Sequence, residues 1–227
     1  MYTLVLLNGG SGRRMGAPQP KQFIKVNGIP ILVYSLVAAD AVPEIDQIVL
    51  NYPEGWRDDV AALVHDYAIR TRVDLVPAGE TRQASVAAAL DVCTNDDVVL
   101  HEAARPLVRS ADFARLIAAP GRNVSYMAPL TFTVAPVDPA THTVTGYLDR
   151  DRLRNVQLPQ KFSLADLKKG HEFAAGQDVV FTEDATLLAA AGLAVHFVDG
   201  ADTNIKVTTP TDIHLAVSLL HGQADDE

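Results

Sequence analysis

A chain of 227 residues, 48% hydrophobic and 21% charged, has ordinary globular composition, which excludes a disordered protein. Its 19 basic and 28 acidic residues leave a formal net charge of −9, the wrong sign for gripping nucleic acid or an anionic membrane. The single Cys93 excludes a disulfide framework and a cysteine-built zinc site, and no apolar run approaches the ~18 residues of a membrane span. One domain over residues 1–227, in a cytoplasmic protein, is the resulting expectation.

In chain order, Thr3 to Leu7 is a continuous apolar run closed by Asn8-Gly9-Gly10, as expected of a strand buried on both faces. Pro30 to Ala39 has helical spacing, with proline tolerated in the first turn, and Ile45 to Leu50 reads as a strand. Trp56 to Ala68 is helical, Arg72 to Val76 a strand, Thr81 to Cys93 a helix and Asp97 to His101 a strand. Cys93, in an apolar run, is expected to be a buried structural thiol. This alternation predicts an α/β fold, a mostly parallel sheet with helices on both faces.

The rhythm breaks after Met127. Residues 130–162 are rich in Thr, Val and Pro without helical period, which predicts a β-rich arm projecting from the sheet. Such an arm must bury its apolar side somewhere, so a homodimer through it is expected. The α/β pattern resumes with helices at Ser163 to Ala175 and Glu183 to Ala191, and strands at Val195 to Val198 and Ile205 to Val207. A last helix runs from Pro210 to His221.

The chemistry concentrates after strands, where open α/β sheets bind ligands. Gly9, Gly10 and Gly12 follow the first strand and suit a backbone nest for phosphate. Neither the dinucleotide fingerprint nor the P-loop is spelled there, because Met15 stands where a third glycine is required and Gly-Lys-Ser/Thr never occurs. Arg13, Arg14, Lys21 and Lys25 crowd four cations into 13 residues. Arg82, in the first turn of its helix, gains nothing from the macrodipole and is assigned to an anion. Glu102 and Arg105 end the next strand, and Asp202 and Lys206 precede the last helix. Among the histidines none has metal-ligand spacing, and no Ser-His-Asp or paired-carboxylate signature occurs.

Taken in order, Gly9-Gly-Ser-Gly-Arg-Arg-Met15, Pro20-Lys-Gln-Phe23, Gly79-Glu-Thr-Arg-Gln-Ala-Ser-Val86, His101-Glu-Ala-Ala-Arg-Pro106, Gln157-Leu-Pro-Gln-Lys-Phe162, Thr182-Glu-Asp-Ala185 and Asn204-Ile-Lys-Val-Thr-Thr-Pro210 form a set. That set resembles the CTP-dependent cytidylyltransferases acting on sugar-alcohol phosphates such as 2-C-methyl-D-erythritol 4-phosphate or ribitol 5-phosphate. The resemblance implies a Rossmann-like nucleotidyltransferase fold, a homodimer with a projecting β arm, and CMP transfer from CTP to a substrate phosphate, with Mg²⁺.

Carried onto this chain, it implies that Arg14, Lys21 and Lys206 are catalytic. The nucleotide would lie along Asn8, Gly9, Gly10, Gly12, Arg13, Gly79, Glu80, Arg82, Ser85 and Arg105. Thr133 and Arg150 would hold the acceptor phosphate, Arg150 from across the dimer, with Glu102 and Asp202 as metal candidates. Four departures stand out: Glu102 replaces the usual Asp, Asn8 a small Ala, Phe132 and Ala135 flank Thr133, and Leu158 replaces a Thr on what reads as the acceptor side. Methylerythritol phosphate is the first acceptor expected, then ribitol phosphate, then another phosphate or phosphonate. A dinucleotide-dependent oxidoreductase and a non-catalytic nucleotide-binding module are the readings from other classes.

Overall fold

A computed structural model describes residues 1–10, 19–177 and 179–225. The elements are β1 (Tyr2–Leu7), β2 (Lys25–Val26), β3 (Ile29–Pro30), α1 (Ile31–Asp40), β4 (Ile45–Tyr52), α2 (Arg57–Asp66), β5 (Arg72–Pro77), α3 (Arg82–Leu90) and β6 (Asp97–Glu102). There follow α4 (Ser110–Ala118), β7 (Val124–Pro129), β8 (Val137–Asp138), β9 (Thr143–Val144), β10 (Arg154–Ser163), α5 (Leu164–Ala175), α6 (Asp184–Ala190), β11 (His196–Asp199) and α7 (Pro210–Asp225).

Seven strands form one sheet in the order β11-β7-β10-β6-β1-β4-β5. β1 pairs in parallel with β4 and β6, β4 with β5, and β11 with β7, whereas β10 runs antiparallel to both of its neighbours. The predicted mostly parallel sheet is therefore present, with one reversed strand inside it. Side-chain alternation builds a core on each face. Leu4 and Leu6 of β1 join Leu36 of α1, Val60 of α2 and Phe113 of α4. Val5 and Leu7 face the other way, onto Val86 of α3, Leu167 of α5 and Leu187 of α6.

Three expectations need correction. The arm does not extend to residue 162, because β10 is threaded between β6 and β7. The protruding part is the segment between β7 and β10, with only the two-residue strands β8 and β9. β10 reads as surface because of Gln157, Gln160 and Lys161, yet all three are buried with their donor nitrogens engaged: Gln157 Nε2 donates to Ala201 O (3.0 Å), Gln160 Nε2 to Gln157 O (3.3 Å), and Lys161 Nζ to the carbonyls of Ile117 (3.0 Å) and Ala119 (2.6 Å) near the end of α4. Leu158 is fully buried in the α3–α5 core, so its replacement of Thr lies in packing and not on an acceptor surface. Finally, Ile205 to Val207 is not a strand; Val207 N–H donates singly to Ala104 O at 2.8 Å. α4 and the β2–β3 hairpin, which turns at Asn27-Gly28 with positive φ at both (48° and 81°), were not anticipated.

Candidate functional site

The carboxyl ends of β1, β5 and β6 open on one rim, and a cavity of about 540 Å³ lies there. Gly9 and Gly10 after β1, Gly79 to Arg82 at the β5–α3 turn, Glu102 and Ala104 after β6, and Lys21 and Lys206 line it. The two glycine turns meet closely. A Cβ on Gly9 would collide with the side chain of Ala78, and one on Gly79 would sit 2.6 Å from Ala84 Cβ. The β5–α3 turn is braced by Thr81, whose Oγ1 accepts from Ala84 N–H at 3.0 Å as N-cap, and by Ser85. Ser85 Oγ accepts from Gly79 N–H (3.0 Å) and donates to Thr81 O (2.9 Å).

Lys21 sits in a 3-10 turn after Pro20, and its Nζ donates to Val207 O at 2.8 Å, which brings its ammonium beside the segment that carries Lys206. The same turn is held from beneath by Gln22, whose Nε2 donates to Asn8 O at 2.5 Å. The segment leading to Lys206 is fastened by Asn204: its Nδ2 donates to Leu158 O (2.5 Å) and its carbonyl accepts from Arg105 Nη1 (2.7 Å).

Glu102 is the charge centre of the wall. Its Oε1 accepts from Lys206 Nζ at 2.8 Å, with Arg82 Nε at 3.7 Å, and Arg105 Nε lies 3.5 Å from Oε2. Burial alone would raise its pKa, but Lys206, Arg105 and Arg82 outweigh that and hold the carboxyl below its ordinary range. Arg82 meets two further carboxylates, Asp184 at 2.5 Å and Glu183 at 3.3 Å. His101, fully buried, has its pKa pushed down to about 3 by burial and by Arg105, so it is a neutral imidazole donating from Nε2 to Arg105 O and packed edge-on to Phe113. No neutral acid, base or nucleophile pair of the hydrolase kind lines the cavity among the described residues.

A family model described as 2-C-methyl-D-erythritol 4-phosphate cytidylyltransferase matches residues 2–222. The chain belongs to that family. An enzyme of that name from Bacillus cytotoxicus is 38% identical over 226 residues, covering 98% of this chain and 99% of its own. A ribitol-5-phosphate cytidylyltransferase from Lacticaseibacillus paracasei is 32% identical, covering 97% and 98%. Among solved structures, 4-diphosphocytidyl-2C-methyl-D-erythritol synthase from Anaerococcus prevotii aligns with a TM-score of 0.85 at 26% identity over 97% of this chain and 96% of that one. The enzyme from Thermus thermophilus aligns at 0.77 and 28%, over 97% and 100%. The chain is thus a nucleotidyltransferase, and the oxidoreductase and non-catalytic readings fall.

Of the residues expected in this cytidylyltransferase site, the cavity gathers Gly9, Gly10, Lys21, Gly79, Glu80, Arg82, Ser85, Glu102 and Lys206. Asn8 and Arg105 are buried just behind the wall. Gly12, Arg13 and Arg14 lie outside the described residues. Lys25 is exposed on β2 and does not line the cavity, and Thr133 and Arg150 are exposed on the arm, where Arg150 Nη1 donates to Thr131 O at 3.4 Å. The expectation for Arg82 changes most: the anions it meets here are the protein's own carboxylates, because the start of α6 packs beside α3. Glu183 and Asp184 went without a role, although Thr182-Glu-Asp-Ala185 before a helix was the available signal.

The two metal candidates are placed differently: Glu102 lines the cavity with a buried Oε2 that has no hydrogen-bond partner among the described residues, and Asp202 does not line it. Glu102 has cations against both oxygens, Asp202 is exposed, and no group of three His, Cys, Asp or Glu among the described residues is placed to hold an ion. No helix among them is long and apolar enough to cross a membrane. Cys93 is a half-buried thiol donating to Ala89 O at 3.3 Å, its pKa pushed up to about 12 by burial, consistent with a structural role.

Proposed function

We propose that the chain transfers CMP from CTP to the phosphate of a small polyol phosphate, with 2-C-methyl-D-erythritol 4-phosphate as acceptor, on a route to isoprenoid precursors in the cytoplasm. The observation that carries this reading is the cavity itself. Two glycine turns wall a slot at the strand ends, and Lys21 and Lys206 converge on it without any acid–base pair among the described residues. A phosphomonoester with its second pKa near ~6 is already largely dianionic at neutral pH, so its oxygen attacks the α-phosphorus without a general base. The new P–O bond forms as the α–β bridge breaks, and pyrophosphate leaves with the electron pair.

Catalysis is then positioning and charge neutralisation. In this reading Lys21 and Lys206, with Arg14, offset charge developing on the transferring and leaving phosphates. The backbone at Gly9, Gly10 and Gly79, with Glu80 and Ser85 beside it, takes the nucleoside, and the close approach of the two turns favours a pyrimidine over the larger purines. Mg²⁺, for which Glu102 is the candidate residue lining the cavity, would add charge neutralisation to that of the lysines and arginines of the wall. Two copies pair through the arm, and Arg150 with Thr133 holds the acceptor phosphate of the neighbouring copy. Exposure of Phe132 (81%) and Tyr147 (84%) supports that pairing, since side chains of this size are seldom left this open.

The ribitol phosphate reading is kept by the 32% identical relative that bears that name. A pyrophosphate-release screen at fixed CTP and Mg²⁺, over methylerythritol, ribitol and other polyol phosphates, ranks the acceptors. Controls with ATP, GTP and UTP test the base. No turnover with CTP on any acceptor refutes the proposal.

A further inference from the structure

Behind the cavity wall lies a buried charge cluster that phosphate chemistry does not require. His171 of α5 has Nε2 at 2.9 Å from Asp184 Oδ1, and as the carboxylate only accepts, the imidazole is the donor. The other oxygen of Asp184 takes Arg82 Nη1 at 2.5 Å, while Arg82 Nη2 lies 3.3 Å from Glu183 Oε2. Glu183 is itself oriented from β10 by Gln160 Nε2 at 3.3 Å. Asp184 is 1% exposed and His171 9%, so neither touches a substrate.

The consequence falls on one oxygen atom. Glu102 Oε1 is within reach of two cations: Lys206 Nζ at 2.8 Å, a hydrogen bond, and Arg82 Nε at 3.7 Å, which is not one. Arg82 Nε is buried and has no hydrogen-bond partner among the described residues. The guanidinium is therefore held off Glu102 by its two fastenings to α6, and Lys206 occupies the oxygen instead. A planar guanidinium released from those fastenings would close on the carboxylate and compete with the ammonium.

We propose that Asp184 and His171 are positioning residues for Lys206: by holding Arg82 against α6 they keep Glu102 Oε1 for the lysine, which fixes the ammonium at the cavity wall. The relevance of this to turnover rests on the cytidylyl-transfer reading, but the competition for Glu102 does not. The alternative is that the cluster only ties α3 to α6.

The test compares the full-length wild type with Asp184→Asn, His171→Phe and His171→Gln. The first readout is the rate at which an amine-reactive reagent labels Lys206, followed by peptide mass spectrometry with exposed Lys25 as reference. Lys206, whose side chain is 39% exposed, is accessible to the reagent while paired with Glu102 at 2.8 Å. Asp184→Asn and His171→Phe are expected to speed its labelling about threefold or more, since an amine no longer held in its 2.8 Å contact with Glu102 is freer to meet the reagent. His171→Gln, which keeps a donor towards Asp184, is expected to restore most of the wild-type rate.

The second readout is steady-state kinetics. Both disruptive variants are expected to lower kcat about tenfold with the KM for CTP within about twofold, and the loss to vanish on a Lys206→Met background because both changes act through one group. Unchanged Lys206 labelling, or losses that multiply in the double variant, overturns the proposal in favour of structural tying. If Asp184→Asn fails to fold, the two His171 variants carry the test. If the wild type does not turn over CTP at all, the functional reading fails while the labelling still decides the positioning.

Discussion

The wall of the cavity and the arm are opposite solutions to placing charge and apolar surface. At the wall, the buried carboxylates are met from inside the same chain: Glu102 by Lys206, Arg105 and Arg82, and Asp184 by Arg82 and His171. On the arm, Phe132, Val144 and Tyr147 are 81%, 69% and 84% exposed, and among the described residues Arg150 makes one long bond, to a nearby carbonyl. A site that is complete within one copy can be pre-organised before substrate arrives. A segment left this open needs another surface before its residues have fixed positions. In the function proposed above, the nucleotide half of the reaction is assigned to one copy and the acceptor half to two.

The sharpest way to break that division is Lys21→Ala. Lys21 reaches Val207 O, and its ammonium is the group in the cavity that links the glycine turn to the Lys206 segment. Removing a positioned charge that acts on the transition state is expected to lower kcat about 10²- to 10³-fold. The circular dichroism spectrum should be unchanged. A kcat within a factor of about three of wild type removes Lys21 from the mechanism.

Arg150→Ala probes the other side. It is expected to raise the KM for the polyol phosphate about tenfold or more, with the KM for CTP unchanged, because a charged contact to one substrate's phosphate is lost. Tyr147→Asp, which puts a charge into the proposed contact, is expected to shift sedimentation from dimer to monomer and to raise the same acceptor KM. Equal effects on both substrates would place Arg150 in the nucleotide half, and a Tyr147→Asp enzyme that stays dimeric would move the interface off the arm.

The same division explains what could be read before the structure. β1 was readable because a strand buried on both faces is apolar at every position, and Leu4 to Leu7 has no alternative use. The rim was readable because ligand groups follow strands, so Lys21, Glu102 and Lys206 were found one by one. What failed is non-local. Arg82 lines the cavity as expected of an anion-site residue, but its partners within the chain went unseen because Glu183 and Asp184 lie 101 and 102 residues further along. β10 was given to the arm because Gln157, Gln160 and Lys161 look like surface, and only the sheet reveals that they are buried with their donor nitrogens engaged inside. α4 was missed although it carried a signal: Phe113 and Leu116 at helical spacing, with Asp112 accepting from Arg109 N–H at its start.

Ser85→Ala sharpens the view that the glycine turn is pre-organised. It deletes the hydroxyl that bonds both Gly79 N–H and Thr81 O in a nearly buried position. Two lost hydrogen bonds are expected to lower unfolding free energy by about 2 kcal/mol, read from urea denaturation, and to raise the KM for CTP more than that for the acceptor. An unchanged CTP KM would mean the turn is shaped by Gly79 and the Thr81 cap alone.

The smallest effect tests whether the buried wall stays charge-balanced as pH falls. His101 has a folded pKa depressed to about 3, against about 6.5 in an unfolded chain. The unfolded state therefore binds the proton first. The stability held by the neutral imidazole is fully present above pH ~6.5 and is lost progressively below it. Between pH 7.5 and 6 the loss is about 0.8 kcal/mol, approaching ~1.4 kcal/mol per pH unit further down. Glu102 and Asp184, both lowered, lose their contributions only as pH falls through the acid range below ordinary carboxylates. Glu183 is raised, by burial first and then by Glu102 and Asp184, so its protonation works the other way as pH falls. Comparing wild type with His101→Gln by urea unfolding at pH 7.5, 7, 6.5 and 6 cancels these shared terms. The variant is expected to be less stable throughout but flatter with pH, and parallel curves would mean that His101 already takes up its proton in the folded wall.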